Sequence, residues 1–187
     1  MSFTPDPILD PDAVLRLVEL ASQTTTGQDV VLLLENKGTP IEGESVRNFA
    51  DGKKRLDVMG YMLISGVQPA PGTSNAKVST GDLIVVRQCD AASASIASLL
   101  KSQTEDLKVV LSTFKAGGDR AATDEQPTLE IEIDKGRVAH FSVLTPSRLN
   151  GIPCEVVAFA HQGLEIRSAP QAQTGLRGAV RTCTFSG

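Results

Sequence analysis

Most of the chain alternates between apolar and polar residues at the spacing of β-strands. The most regular stretch is residues 128–134, where apolar and acidic positions alternate: Leu129, Ile131 and Ile133 against Glu130, Glu132 and Asp134. Successive side chains of a strand point to opposite faces, so this pattern predicts a strand with one buried face and one polar, acidic sheet face. Lys135-Gly136 follows and predicts a tight turn into residues 137–144, so that the two strands form a hairpin.

Seven further segments have the composition of strands. Short apolar or alternating runs bounded by polar residues predict half-buried or buried strands. The segments are residues 30–34, 56–64, 82–87, 107–115, 154–161, 164–167 and 179–185. Between the second and the third of these lies the longest stretch rich in proline, glycine and serine, residues 66–75, which predicts a loop.

An N-terminal helix is predicted from a start signal and an apolar stripe. Asp10 has the residue type of an N-cap, and Pro11 suits the first helical position. The apolar positions that follow at helical spacing are Val14, Leu17, Val18 and Ala21. We therefore expect residues 1–27 to be an extension with an amphipathic helix, which docks on its own domain, meets a neighbouring subunit or stays mobile.

One short helix interrupts the strands. Ile96, Leu99 and Leu100 fall at helical spacing after several N-cap residue types, which predicts a helix over residues 93–102. One short helix among about nine strands favours a mainly β domain over residues 28–187. The expected architecture is a barrel or sandwich of antiparallel sheets with the helix at its side.

Composition narrows the classes of function. A length of 187 residues with 41% hydrophobic residues is enough for one domain with its own core. A net charge of -4 without a basic block argues against nucleic-acid binding. No apolar run approaches the ~18 residues of a membrane span. The first twelve residues carry three aspartates and no cation, so we expect no secretory signal peptide.

Residues with catalytic or ligand-binding chemistry do not form a recognisable site in the sequence. The odd number of cysteines (Cys89, Cys154 and Cys183) indicates a reducing compartment such as the cytoplasm. Cys154 and His161 fall on opposite faces of their predicted strand, so Cys154 is expected to pack as a small apolar group. His140 is expected on the same strand face as Val138. We therefore expect no enzyme activity, no metal and no cofactor.

Two short motifs and their order resemble a known family. Ile41-Glu42-Gly43-Glu44-Ser45 follows the first strand, and Lys115-Ala116-Gly117-Gly118 follows the strand after the helix. A later strand carries Glu155. In this order, over about residues 29–185, the chain resembles the Hcp (TssD) family, the tube proteins of bacterial type VI secretion systems.

The resemblance implies a fold and an assembly. It implies an Hcp-like β-barrel with one helix at its side, and homohexameric rings that stack into a hollow tube. It further implies a contractile sheath around the tube, a VgrG-type spike at its tip and secreted effectors as cargo. Export to the extracellular space or a target cell would then need no cleaved signal peptide.

A ring-stacking loop is hypothesised from its length, its prolines and its position in the family. Its residues are Gln68, Pro69, Pro71, Thr73, Ser74, Asn75 and Lys77. Two alternatives stay open at this point. The chain could be a tail-tube protein of a related phage-like contractile injection system, or a β-barrel module that binds a small ligand.

Overall fold

The polypeptide folds into a β-barrel built from two curled antiparallel sheets. The structure is a computed structural model that describes residues 10–23, 28–68, 77–115, 126–146, 151–169 and 178–186. Its elements are α1 (Pro11–Gln23), β1 (Gln28–Asn36), β2 (Thr39–Pro40), β3 (Leu56–Asp57), β4 (Gly60–Met62), β5 (Ser65–Gln68), β6 (Lys77–Thr80), β7 (Leu83–Gln88), α2 (Ser93–Lys101), β8 (Leu107–Lys115), β9 (Leu129–Leu144), β10 (Cys154–Ala160), β11 (Gly163–Ser168) and β12 (Arg181–Ser186).

The long strand β9 and the segment β3–β4 each pair with strands of both sheets, and this gives the barrel its shape. The first sheet has β1 paired with β2, β3 and β8, and continues through β9 and β11 to β12. The second sheet runs from β9 through β10 and β7 to β4. β9 is therefore shared by both sheets, and the pair β3 and β4 crosses between them on the opposite side. The prediction of a mainly β, barrel-like fold is confirmed.

The predicted hairpin at Lys135-Gly136 is wrong. Residues 129–144 form one strand of 16 residues, and its two halves belong to different sheets. Leu107 lies opposite Gly136 while Val109 lies opposite Ile133, so two steps along β8 match three along β9. The extra residue makes a β-bulge, at which Lys135 adopts a φ of 48°. A Cβ at Gly136 would lie 2.9 Å from the carbonyl oxygen of Leu107, which explains the glycine.

A second bulge overturns the expected placement of His140. His140 pairs with Ala158 and Val138 pairs with Phe159, so one step along β10 matches two along β9. Ala158 and Phe159 lie on opposite faces of β10. His140 and Val138 therefore lie on opposite faces as well, because the bulge shifts the alternation by one residue.

The single strand predicted over residues 56–64 is also wrong. β3 pairs with β1 of the first sheet, and β4 pairs with β7 of the second. The change of sheet falls between two consecutive residues. The amide of Val58 donates to the carbonyl of Val30 at 3.0 Å, and the amide of Met59 donates to the carbonyl of Val86 at 2.8 Å.

The barrel interior is filled by apolar side chains of both sheets and of α2. Its members include Leu32, Leu83, Leu111 and Phe159, each at most 1% exposed. Ile96 of α2 is fully buried against them, as the helical spacing predicts. An interior packed in this way positions the strands but leaves their outer faces and edges for other contacts.

A second, smaller apolar cluster lies on the outer face of the second sheet, beneath α1. Val14 and Val18 of α1 are 6% and 0% exposed there. The sheet contributes Ile84, Val86, Cys154, Val156 and Ala158. α1 begins at Pro11 as predicted, and it docks on its own domain, the first of the three alternatives left open by the sequence.

Candidate functional site

A buried ion pair joins two central strands of the second sheet. Arg87 of β7 lies directly opposite Glu155 of β10, and its Nη1 donates to Oε1 of Glu155 at 2.5 Å. The two side chains are 1% and 0% exposed. They share the strand faces that carry Val85 and Val157, so they close one end of the barrel core. Charges this deeply buried require a charged partner, which each provides for the other.

Asp90 extends this pair toward α2 and toward the segment that follows β2. Its Oδ2 accepts from Nη2 of Arg87 at 2.5 Å and from the amide of Glu44 at 3.3 Å. Its Oδ1 accepts from the amide of Ala92, just before α2, at 2.8 Å. We call Arg87, Asp90 and Glu155 the ionic cluster. It ties the second sheet, the start of α2 and Glu44 together.

Two of the motif residues, Gly43 and Glu44, lie against this cluster at Asp90. A Cβ at Gly43 would lie 2.6 Å from Cδ2 of Leu56 and 2.7 Å from the carbonyl oxygen of Arg55, so glycine is required by space alone. Ser45 is buried, and its hydroxyl accepts from the amide of Arg47. The structure thus brings Gly43, Glu44 and Glu155 into one region. Gly117 and Gly118 lie outside the described residues.

Residues 45–55 cover part of the outer face of the first sheet. The guanidinium of Arg47 lies 4.0 Å from the ring centre of Phe114, and its Nη1 lies 3.3 Å from Oδ2 of Asp29. The Arg55 guanidinium lies 4.4 Å from the ring centre of Phe49, which in turn contacts Phe114. Cation–π contacts of this kind hold the covering segment against β1 and β8.

The other half of this outer face carries charged side chains. Arg167 of β11 donates from Nη1 to Glu130 at 2.5 Å and from Nε to Glu165 at 2.5 Å, and its Nη2 contacts Glu132. These four side chains are between 21% and 36% exposed. We call them the polar face. Three carboxylates share one guanidinium, so the surface is hydrated and acidic; the Asp134 side chain lies outside the described residues.

The predicted loop of residues 66–75 is in part a β-hairpin. β5 and β6 pair with each other over four positions, from Ser65 opposite Thr80 to Gln68 opposite Lys77. The prediction of irregular structure at Gly66 through Gln68 is therefore wrong, because these residues have a strand partner in β6. Pro69, Pro71, Thr73, Ser74 and Asn75 lie outside the described residues.

The hairpin presents an apolar pair to solvent. Val67 and Val78 lie directly opposite each other and are 63% and 52% exposed. Among the strands that the structure describes, β5 and β6 form a separate two-stranded sheet. A two-stranded ribbon is marginally stable alone in water, so an additional surface would stabilise it.

Burial and neighbouring polar groups define the surroundings of two cysteines, Cys89 and Cys154, and of both histidines. Burial raises the pKa of the Cys154 thiol, whose sulfur lies 3.9 Å from that of Met59. Cys89 has a raised pKa as well, first through burial and then through the charge of Glu155. His140 contacts Ser142 at 2.8 Å and has a pKa lowered by burial, and His161 contacts the carbonyl of Gly81. The expectation that Cys154 packs as an apolar group is confirmed.

Neither a metal-binding group nor a membrane helix is found in the described ranges. No three side chains of the histidine, cysteine, aspartate or glutamate types come together there in a way that could hold a metal ion. No helix there is long and apolar enough to cross a membrane.

The sequence contains an indication of the ionic cluster that was not used in predicting the strands. Arg87 ends the apolar run Leu83-Ile84-Val85-Val86, and Glu155 interrupts the apolar run around Val156 and Val157. One charge in each of two buried strands indicates a pair of opposite sign. Arg167 has no comparable signal, because its three carboxylate partners come from β9 and from its own strand.

Comparison with solved structures identifies the fold. The chain matches a structure described as a type six secretion system protein with a TM-score of 0.69 and 21% identity, covering 84% of this chain and 94% of that chain. Hcp1 from Salmonella typhimurium matches with a TM-score of 0.60 and 17% identity, covering 84% and 95%. The secreted protein Hcp3 from Pseudomonas aeruginosa matches with a TM-score of 0.56 and 11% identity, covering 86% and 99%.

These matches define a class of fold. At sequence identities of 11–21%, the matches establish a shared fold, and that fold is the one of the Hcp proteins. The predicted resemblance is thereby confirmed for the fold. Neither protein-family models nor curated protein sequences give a match to the chain.

Proposed function

We propose that this chain is the tube subunit of a bacterial type VI secretion system. In this role it forms hexameric rings that stack into a hollow tube, which sheath contraction expels to deliver effectors. The supporting observation is the match to nearly the whole of the solved Hcp chains, 94–99% of their length in the three cases above. The role is structural and needs no cofactor.

Ring closure requires two different, complementary side surfaces on each subunit. The first sheet has unlike ends: β12 at one end, and the two-residue strands β2 and β3 at the other. Among the described strands, β12 pairs with β11 alone, so one of its edges carries backbone groups without a strand partner. These unlike ends support a head-to-tail arrangement of copies around a ring.

The polar face supports a hydrated lumen. Glu130, Glu132, Glu165 and Arg167 hold one another through charge-assisted contacts, so their charged groups are largely satisfied within the subunit. A lumen wall of this kind offers cargo few apolar contacts. Effectors could then pass along it without being retained by hydrophobic burial.

The hairpin β5–β6 and the residues between its strands are proposed to contact the next ring. The positions proposed for this contact are Gln68, Pro69, Pro71, Thr73, Ser74, Asn75 and Lys77. Val67 and Val78 add a small apolar contact beside them. A limited contact suits rings that stack and later dissociate.

Removing the hairpin tip tests this contact. We expect deletion of residues 68–75 to leave ring mass unchanged while stacked tubes disappear from electron micrographs. The Val46→Ser variant is the matched control, since Val46 is 71% exposed elsewhere on the surface and its loss should preserve tubes. Tubes of normal length from the deletion variant would refute the stacking role.

The partners follow from the same proposal. They are further copies of the chain, a contractile sheath, a VgrG-type spike and secreted effectors, with export that uses no cleaved signal peptide. A barrel that binds a small ligand in its interior is disfavoured, because the core side chains Leu34, Leu83 and Phe159 that fill the barrel are fully buried.

A further inference from the structure

The hairpin β5–β6 lies directly beyond the ribbon that β4 and β7 form in the second sheet. β4 and β7 pair as far as Met62 opposite Ile84, and β5 and β6 begin to pair at Ser65 opposite Thr80. Three steps along one side of the ribbon therefore match four along the other. An extra residue of this kind interrupts the ladder of backbone hydrogen bonds and redirects the ribbon. The position of the hairpin therefore depends on the contacts that are made at this joint.

Gly81 lies at the joint and connects the base of the hairpin to the barrel. Its amide donates to the carbonyl of Ile64 at 2.8 Å, across the ribbon. Its carbonyl lies 3.0 Å from Nε2 of His161. Because a carbonyl oxygen can only accept a hydrogen bond, Nε2 is the donor in this contact. The peptide groups of Gly81 are thus held on one side by the ribbon and on the other by the barrel.

His161 lies in a turn whose two ends are fixed by β9. The turn connects β10 of the second sheet with β11 of the first sheet. Ala160 pairs with Arg137 before the turn, and Gly163 pairs with Asp134 after it. The imidazole itself is half-buried and borders an open depression at the surface, so its removal would open no buried cavity. A firmly held backbone therefore presents a side chain whose described hydrogen bond is the one to Gly81.

We propose that His161 is a positioning residue that fastens the hairpin β5–β6 to the barrel through the carbonyl of Gly81. The hairpin has few contacts of its own to keep it in place, since a two-stranded ribbon is marginally stable and its apolar pair Val67 and Val78 is exposed. A single hydrogen bond at its base therefore changes how often it opens. The consequence for tubes rests on the proposed stacking role of the hairpin, whereas the fastening itself is a property of one subunit.

Two substitutions of His161 test the fastening. His161→Leu removes the donor and keeps an apolar side chain, whereas His161→Gln keeps a side-chain N–H donor. Amide hydrogen exchange in β5 and β6 is measured at low protein concentration, so that contacts between copies do not protect the hairpin. We expect exchange to be about 2- to 10-fold faster in His161→Leu, the factor that corresponds to one net hydrogen bond, and close to the unaltered rate in His161→Gln. His140→Leu is the matched control, because His140 contacts Ser142 instead of the hairpin.

The possible results separate the fastening from the stacking role. Exchange in β10 should stay slow in both His161 variants, which shows that the barrel is intact. The proposal fails if His161→Leu leaves the exchange of the hairpin unchanged, or if His161→Gln exchanges as fast as His161→Leu. Electron micrographs should show fewer and shorter tubes for His161→Leu and normal tubes for His161→Gln. Normal tubes from a variant with a loosened hairpin would overturn the stacking role of the hairpin and leave the fastening by His161 standing.

Discussion

Replacing Arg87 with methionine is expected to lower the free energy of unfolding by about 3–5 kcal/mol. The substitution leaves the carboxylate of Glu155, which is 0% exposed, and that of Asp90 without the guanidinium that both contact. A buried charge without a partner costs far more than the pair contributes. The change would be read from urea unfolding curves of the variant and the unaltered protein.

A paired substitution distinguishes this cause from general damage to the strand. Arg87→Met combined with Glu155→Leu removes both buried charges and keeps similar volumes. Since apolar replacements of a buried pair are often neutral, the double variant should regain the part of the lost stability that is due to Glu155. The carboxylate of Asp90, which is 12% exposed, still lacks its cation in both variants. An Arg87→Met variant with the wild-type urea midpoint would contradict the role assigned to the ionic cluster.

Replacing Gly43 with alanine is the second change with a large expected effect. The new Cβ would lie 2.7 Å from the carbonyl oxygen of Arg55, a backbone atom that cannot rotate away. The segment must therefore move, which also weakens the contact between the Glu44 amide and Asp90. We expect the free energy of unfolding to fall by about 1–3 kcal/mol, or more. Thermal unfolding followed by circular dichroism measures it.

Gly66→Ala provides the matched control, because nothing lies within 4 Å of a Cβ at that position. Its melting temperature should stay close to that of the unaltered protein. Equal melting temperatures for Gly43→Ala and Gly66→Ala would contradict this prediction, because they would show that the packing around Gly43 has room for a Cβ.

Strand patterning predicts those parts of the fold that local sequence determines. Leu107–Lys115 is one strand, as its apolar and polar positions indicate, and Ile131 and Ile133 enter the core as their alternation requires. Both α1 and α2 begin where their sequence signals place them. In these segments the burial of one face fixes the structure without reference to distant partners.

The sequence pattern does not predict the structure correctly where pairing with residues far away in the chain determines it. Lys135-Gly136 suits either a turn or a bulge, and the choice depends on pairing with Leu107. Similarly, the change of sheet after β3 depends on the carbonyls of Val30 and Val86, which belong to different sheets. Local composition does not contain these pairings, so one hairpin and one long strand were predicted that the fold does not have.

In the candidate site, too, the individual residues can be identified from the sequence, but their contacts cannot. The motif at Gly43 and Glu44 was found from its resemblance to Hcp, but its contact with Asp90 spans 46 positions of the chain. The partners Arg87 and Glu155 are 68 positions apart and meet through the register of β7 and β10. Each residue is visible in the sequence, whereas the cluster exists only after the sheet has formed.

Native mass spectrometry of the purified protein tests the central claim most directly. A closed ring of identical subunits predicts a dominant species at six times the 19.8 kDa of one chain. The mass of a single chain, persisting at high protein concentration, would contradict the assignment of this barrel as a tube subunit.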